Sequence, residues 1–112
     1  MIFTSTEKQA IVSVLLAIMN ADGKIATGEV LYFNQLKNNF NFSDFDFNHG
    51  KEMEGSAAMS IISSMNDEKK LAVGMMMHEM CEADGNLDSS ELKMFNLICI
   101  LSGVSKVIEK IK

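Results

Sequence analysis

Residues 19–30 read MNADGKIATGEV, and residues 81–92 read CEADGNLDSSEL. Both stretches contain Ala-Asp-Gly, an aliphatic residue two positions after the Gly, and a Glu six positions after it. Sliding the chain by 62 positions superposes them, and the same offset pairs Ile25 with Leu87, Glu29 with Glu91, Phe33-Asn34 with Phe95-Asn96, Ala10 with Ala72 and Ser43 with Ser105. The match spans a helix–turn–helix unit, so the chain reads as two copies of one helical hairpin, about residues 7–43 and 69–105, joined by two short helices. Each turn has a local explanation. The Gly ends a helix in the left-handed conformation, the Asp before it bonds nearby backbone, and the Glu reaches back to a free N–H at the start of the next helix.

The segments around the turns carry helical signals. Thr4 and Glu7 form a capping box for a first helix from about Ser5 to Asn20, with Ile11, Val14, Leu15 and Ile18 at helical spacing. A second helix is expected over Thr27 to Asn39, with Val30, Phe33 and Phe40 on its apolar face. The stretch NFNFSDFDFN (39–48) partly alternates, which is also a strand signal. Ser43 as an N-cap, with Asp44 and Asp46 in the first turn and Phe42 and Phe47 as a staple, favours a short helix limited by Gly50 and Gly55. A fourth helix carries Ala58, Ile61, Ile62 and Met65. A fifth begins at Asn66 or Asp67 and ends before Gly85. Asp88 with Glu91 makes a second capping box for a sixth, which Gly103 stops, and Ser105 is placed as the cap of a last short one. The expectation is one all-α domain over residues 1–112, a bundle of six or seven helices.

Composition agrees with a packed helical domain. Of the 112 residues 47% are hydrophobic and 22% charged, and Pro, the strongest helix breaker, is absent. The net charge of −5 opposes nucleic-acid binding, which rests on a cationic surface. Lys106, Lys110 and Lys112 give only a small basic end. The apolar run from Ile11 to Met19 is too short to span a membrane, and no positive segment precedes it. Cys81 and Cys99 stand far from any C-x-x-C arrangement and read as two buried thiols, which fits a reducing, cytoplasmic setting.

The two acidic turns resemble those of the TerB-like family, which is associated with tellurite resistance and to which the N-terminal domain of the membrane-anchored J-domain co-chaperone DjlA is similar. The resemblance rests on ADGKIATGE and ADGNLDSSE, on their separation and on the helical pattern, and it covers roughly Glu7 to Ser105. It implies an all-helical bundle, a role in stress responses, a protein partner in an assembly near the membrane, and a divalent-cation site. Residue by residue, the match carries over Asp22 and Glu29 from the first turn and Asp84 and Glu91 from the second. The chain has no J domain, so that activity does not transfer.

Read directly, D-G-x-(Ile/Leu)-x-x-x-Glu is half of an EF-hand loop. With each Gly at the sixth loop position, the first copy offers Ile18, Asn20, Asp22, Ala26 and Glu29 as ligands, and the second Met80, Glu82, Asp84, Asp88 and Glu91. The first position is apolar in both, which excludes a standard EF-hand. The second copy still gathers four carboxylates, a hard-oxygen set suited to calcium or magnesium, and the first is weaker unless the turns meet and share one ion. The competing explanation is that these side chains only cap helices.

Other constellations are thinner. In MMMHEMC (75–81), Met76 with Met80, or Met77 with Cys81, has the spacing and softness for copper, against a buried Met-rich helix face. His78 and Glu82 share a face as a surface pair, and His49 lies in a polar stretch. There is no nucleophile elbow and no Gly-rich phosphate loop. The expectation is a non-enzymatic interaction or stress-response module that meets a protein partner through an acidic face or a Met- and Phe-containing groove. The alternative is a small metal-assisted enzyme using Asp84, Asp88 and Glu91.

Overall fold

A computed structural model describes residues 2–21, 23, 27–83 and 89–110. Among these there are seven helices and no strand: α1 (Ser5–Met19), α2 (Thr27–Asn39), α3 (Asp44–Glu52), α4 (Gly55–Ser63), α5 (Asp67–Glu82), α6 (Ser89–Ser102) and α7 (Val104–Lys110). None is long and apolar enough to cross a membrane.

The helix starts follow from short-range bonds. At α1 the Thr4 hydroxyl accepts the Glu7 N–H at 3.1 Å and the Glu7 carboxylate accepts the Thr4 N–H at 2.8 Å, which satisfies two backbone donors left over by helix geometry. Ser43 and Asp46 repeat this box at α3, both bonds at 3.1 Å. Asn66 caps α5 by accepting the Lys69 N–H at 2.8 Å. Gly23 has φ +77°, the left-handed conformation expected after α1.

Four details depart from the sequence reading. Gly55 opens α4 instead of limiting α3. Ser105 lies inside α7, which starts one residue earlier at Val104, directly after Gly103 at φ +81°. On α2 the buried apolar residues are Phe33 and Leu36, whereas Val30 is 41% exposed, because α2 is covered on one side only. Phe47 sets its ring edge-on to Phe33 with centroids 5.5 Å apart, so it ties α3 to α2, and Phe42 packs near Phe40.

The helix boundaries repeat at the offset of the turns. The caps Thr4 and Asn66, the starts of α1 and α5, and the starts of α2 and α6 are each 62 apart. So are the positive-φ residues Asn41 (56°) and Gly103 (81°) that follow α2 and α6. The buried positions repeat as well: Ile11, Leu15 and Ile18 correspond to Val73, Met77 and Met80, and all six are fully buried. The Lys69 ammonium meets the Glu7 carboxylate at 2.7 Å, and these residues are also 62 apart. This ion pair therefore joins equivalent positions of the two hairpins.

Helix α1 is the centre of the bundle, packed against α3, α4, α5 and α6. The seat of α3 on α1 is at Gly50, where an added Cβ would lie 2.6 Å from the Gln9 carbonyl oxygen and 2.6 Å from the Val12 Cβ. Close approach of these two helices therefore requires glycine. Met76, Met77, Met80 and Cys81 are buried in the common core, which assigns the soft-ligand cluster of α5 to packing.

Candidate functional site

The two Glu residues of the repeated turns occupy the third position of their helices, Glu29 in α2 and Glu91 in α6. This is the capping-box position, and it is also where the helix dipole favours negative charge. Both are almost completely removed from water, at 1% and 2% exposure. A carboxylate is buried only where donors or a cation balance it.

Both carboxylates act electrostatically on one buried group, Cys81 near the end of α5. The Cys81 thiol lies 3.8 Å from the Glu91 carbonyl oxygen, which accepts its hydrogen. Burial first, then the negative charges of Glu91 and Glu29, with Cys99 and Glu82 behind them, push this thiol up to about 12. Burial alone pushes Cys99 up to about 11. Both cysteines are therefore neutral thiols at physiological pH and unreactive as nucleophiles.

Of the remaining predicted ligands, Asp22, Asp84 and Asp88 lie outside the described residues, and so does the expected capping of α6 by Asp88. Glu82 takes a different direction from Glu91. It stands on the surface, 2.9 Å from His78 Nδ1 one helical turn away. Among the described residues, no three His, Cys, Asp or Glu side chains gather as a metal-holding group. His49 is exposed, with its Nδ1 2.9 Å from the Phe45 carbonyl oxygen and its ring stacked on Phe45 at 3.9 Å.

The second feature is a groove on the outer side of α5, lined by Met75 and Phe95 among others; the sequence reading named a Met- and Phe-containing groove without assigning its residues. Leu71, Gly74, Met75, His78 and Glu79 of α5, Phe95 of α6 and Ile108 of α7 line a cavity of about 300 Å3. Phe95 and Ile108 also line an adjoining cavity of about 200 Å3 that continues between α6 and α7 past Asn96, Cys99, Ser105 and Glu109. The Tyr32 hydroxyl on α2 donates to the Glu79 carboxylate. Burial, then Glu79, raise the pKa of Tyr32 above the ordinary phenol value, so the phenol stays neutral. The sequence signal for this groove was the MMM run: with a buried stripe at Met76, Met77 and Met80, Met75 and His78 fall outside it.

No protein-family model matches the chain, and no curated protein does. Among solved structures, a crystal structure of a protein of unknown function from Porphyromonas gingivalis is similar over 98% of this chain and 90% of its own, with a TM-score of 0.80 at 27% identity. That likeness extends the all-α bundle to a second, experimentally determined molecule.

Proposed function

We infer that the chain is a non-enzymatic protein-interaction module of the TerB-like kind, serving a stress response, and that its acidic turns together hold one divalent cation, calcium or magnesium. The observation that carries the reading is the burial of Glu29 and Glu91 in equivalent turns. Two carboxylates from equivalent turns are both buried, and both bear on the same thiol. The donor set fits a hard cation, since carboxylate oxygens suit calcium and magnesium while the neighbouring thiols are protonated. Glu29 and Glu91 would hold the ion, with Asp22, Asp84 and Asp88 of the same turns as further oxygen donors. When bound, the ion supplies positive charge against the two buried carboxylates and ties the first hairpin to the second. The remaining surface is left for a protein partner, which the resemblance places in an assembly near the membrane.

The test is a titration of chelator-treated protein with Ca2+ and Mg2+, and separately Zn2+, followed by amide NMR and thermal unfolding. The expected result is saturable shifts at Glu29 and over residues 81–91, with a stabilisation of about 2.7 kcal/mol once the ion stands at about 100 times its Kd. Glu91→Gln should abolish both. Unchanged spectra at millimolar cation would reduce the acidic turns to helix caps.

A further inference from the structure

The internal repeat supplies a template for the groove on α5. Its exposed residues Met75, His78 and Glu79 correspond, 62 positions on, to Ser13, Leu16 and Ala17 of α1. In the first half that face is half-buried. The corner between α3 and α4 borders it across a cavity of about 270 Å3, with Gly50, Met53 and Gly55 facing Ser13, Leu16 and Ala17, and the Ser13 hydroxyl donates to the Met53 carbonyl at 3.2 Å. In the second half α7 packs on α5 where α3 packs on α1, with Val104 against Gly74 as Gly50 is against Val12. Met75 is left 57% exposed above an apolar floor of Leu71, Phe95 and Ile108.

The charge of the rim selects the occupant. Glu79 lies in one cavity and Glu109 in the other, and among the described residues no Lys or Arg lines either. Lys110 is engaged by Asp67 at 3.2 Å. We propose that this groove is a docking site for a helical segment of another protein that carries an apolar anchor flanked by Lys or Arg. The segment sits on α5 as the α3–α4 corner sits on α1, with its anchor between Met75, Phe95 and Ile108 and its cations toward Glu79 and Glu109. Helix-in-groove recognition of this kind takes its affinity from the buried anchor and its selectivity from the rim. The proposal rests on the interaction-module reading above and adds the place and chemistry of the partner.

The experiment uses the whole isotopically labelled chain and three probes: a synthetic helix of Leu, Ala and Lys about 14 residues long, roughly four turns, the same peptide with Glu for Lys, and octylammonium chloride. The Lys helix should give saturable amide shifts at Leu71, Met75, His78, Phe95 and Ile108, and the Glu helix none. Met75→Asn, at an exposed position that leaves the fold intact, should weaken binding roughly tenfold, as expected for removal of a central apolar contact. Glu79→Gln should weaken it roughly threefold and reduce its salt dependence. Leu97→Ser, on the solvent face of α6, should change nothing. Equal binding of the Lys and Glu helices, absence of groove shifts at millimolar peptide, or binding of octylammonium without the helix would each overturn the proposal. Shifts confined to Leu97, Ile100 and Leu101 would overturn the groove and leave the module reading standing. The cation titration tests that reading without involving the groove.

Discussion

The first hairpin, α1 with α2, and the second, α5 with α6, use one plan in two different settings. Their caps, helix starts, left-handed stops, buried Glu residues and core stripes coincide. Their surroundings do not. Helices α1 and α5 each pack against four others, but Met75, His78 and Glu79 of α5 are exposed where their counterparts Ser13, Leu16 and Ala17 of α1 are half-buried. In the second hairpin it is α6 that is gripped, by α1, α4, α5 and α7, while α2 in the first is held mainly through α5. Even the closest helix contacts are exchanged between the halves. In the first, Gly50 of the covering helix α3 meets Val12 of α1; in the second, Gly74, the counterpart of Val12, lies where a Cβ would be 2.8 Å from Val104 Cγ1 of α7. The repeat therefore conserves what each hairpin needs to form, and divergence is confined to what covers it.

The sharpest way to break this comparison is in the core. Leu15→Ala and Met77→Ala truncate equivalent, fully buried residues. Expected losses are about 4 kcal/mol for Leu15 and about 3 kcal/mol for Met77, since a flexible Met site relaxes more readily around a cavity. Urea denaturation measures both, and a Met77 loss above that of Leu15 would contradict the central role of α1. The glycines come next. Gly50→Ala forces Cβ against backbone and should cost about 3 kcal/mol. At Gly74 the obstacle is a side-chain methyl and alanine gains helix propensity, so Gly74→Ala should stay within about 1 kcal/mol of the parent. Equal effects would show that the two helix contacts are not an exchanged pair.

An effect smaller than those of the core truncations is expected at the Glu7–Lys69 ion pair. Burial raises the Glu7 carboxyl, but the hydrogen bond from Lys69, the Thr4 N–H and the Lys69 charge outweigh it, and the net shift is downward. A carboxyl whose folded pKa is depressed contributes stability that is present above its ordinary value and lost as pH falls through the folded one. Glu7→Gln should therefore cost about 1.5 kcal/mol at pH 7, mainly through a charged hydrogen bond. The difference from the parent should shrink as pH drops below the ordinary carboxylate range. Chemical denaturation at pH 7 and in acid checks this, and a pH-independent difference would assign the loss to the Thr4 cap.

Much of the fold was legible because its signals are short. Thr4 with Glu7, Ser43 with Asp46 and Asn66 with Lys69 each act across three residues, and Gly23 and Gly103 act through their own φ. The start of α3 at Asp44 was readable despite alternating Phe residues for the same reason. Misreadings arose where a second element decided. Val30 has the spacing of a core residue but faces outward, since α2 meets the bundle along Phe33 and Leu36. Glu82 and Glu91 looked equivalent as oxygen donors, yet the end of α5 turns one toward His78 and water while the start of α6 turns the other inward.

The sequence by itself determined the helices, their ends and the existence of two matching hairpins, because capping, helix periodicity and left-handed glycines are governed by neighbours a few residues away. Only the tertiary structure decided that Glu29 and Glu91 are both buried, that Glu7 and Lys69 join the two hairpins, and that Met75 of α5 stays exposed beside a groove. Those outcomes depend on which helix occupies the space beside another, and packing of that kind is a property of the assembled bundle.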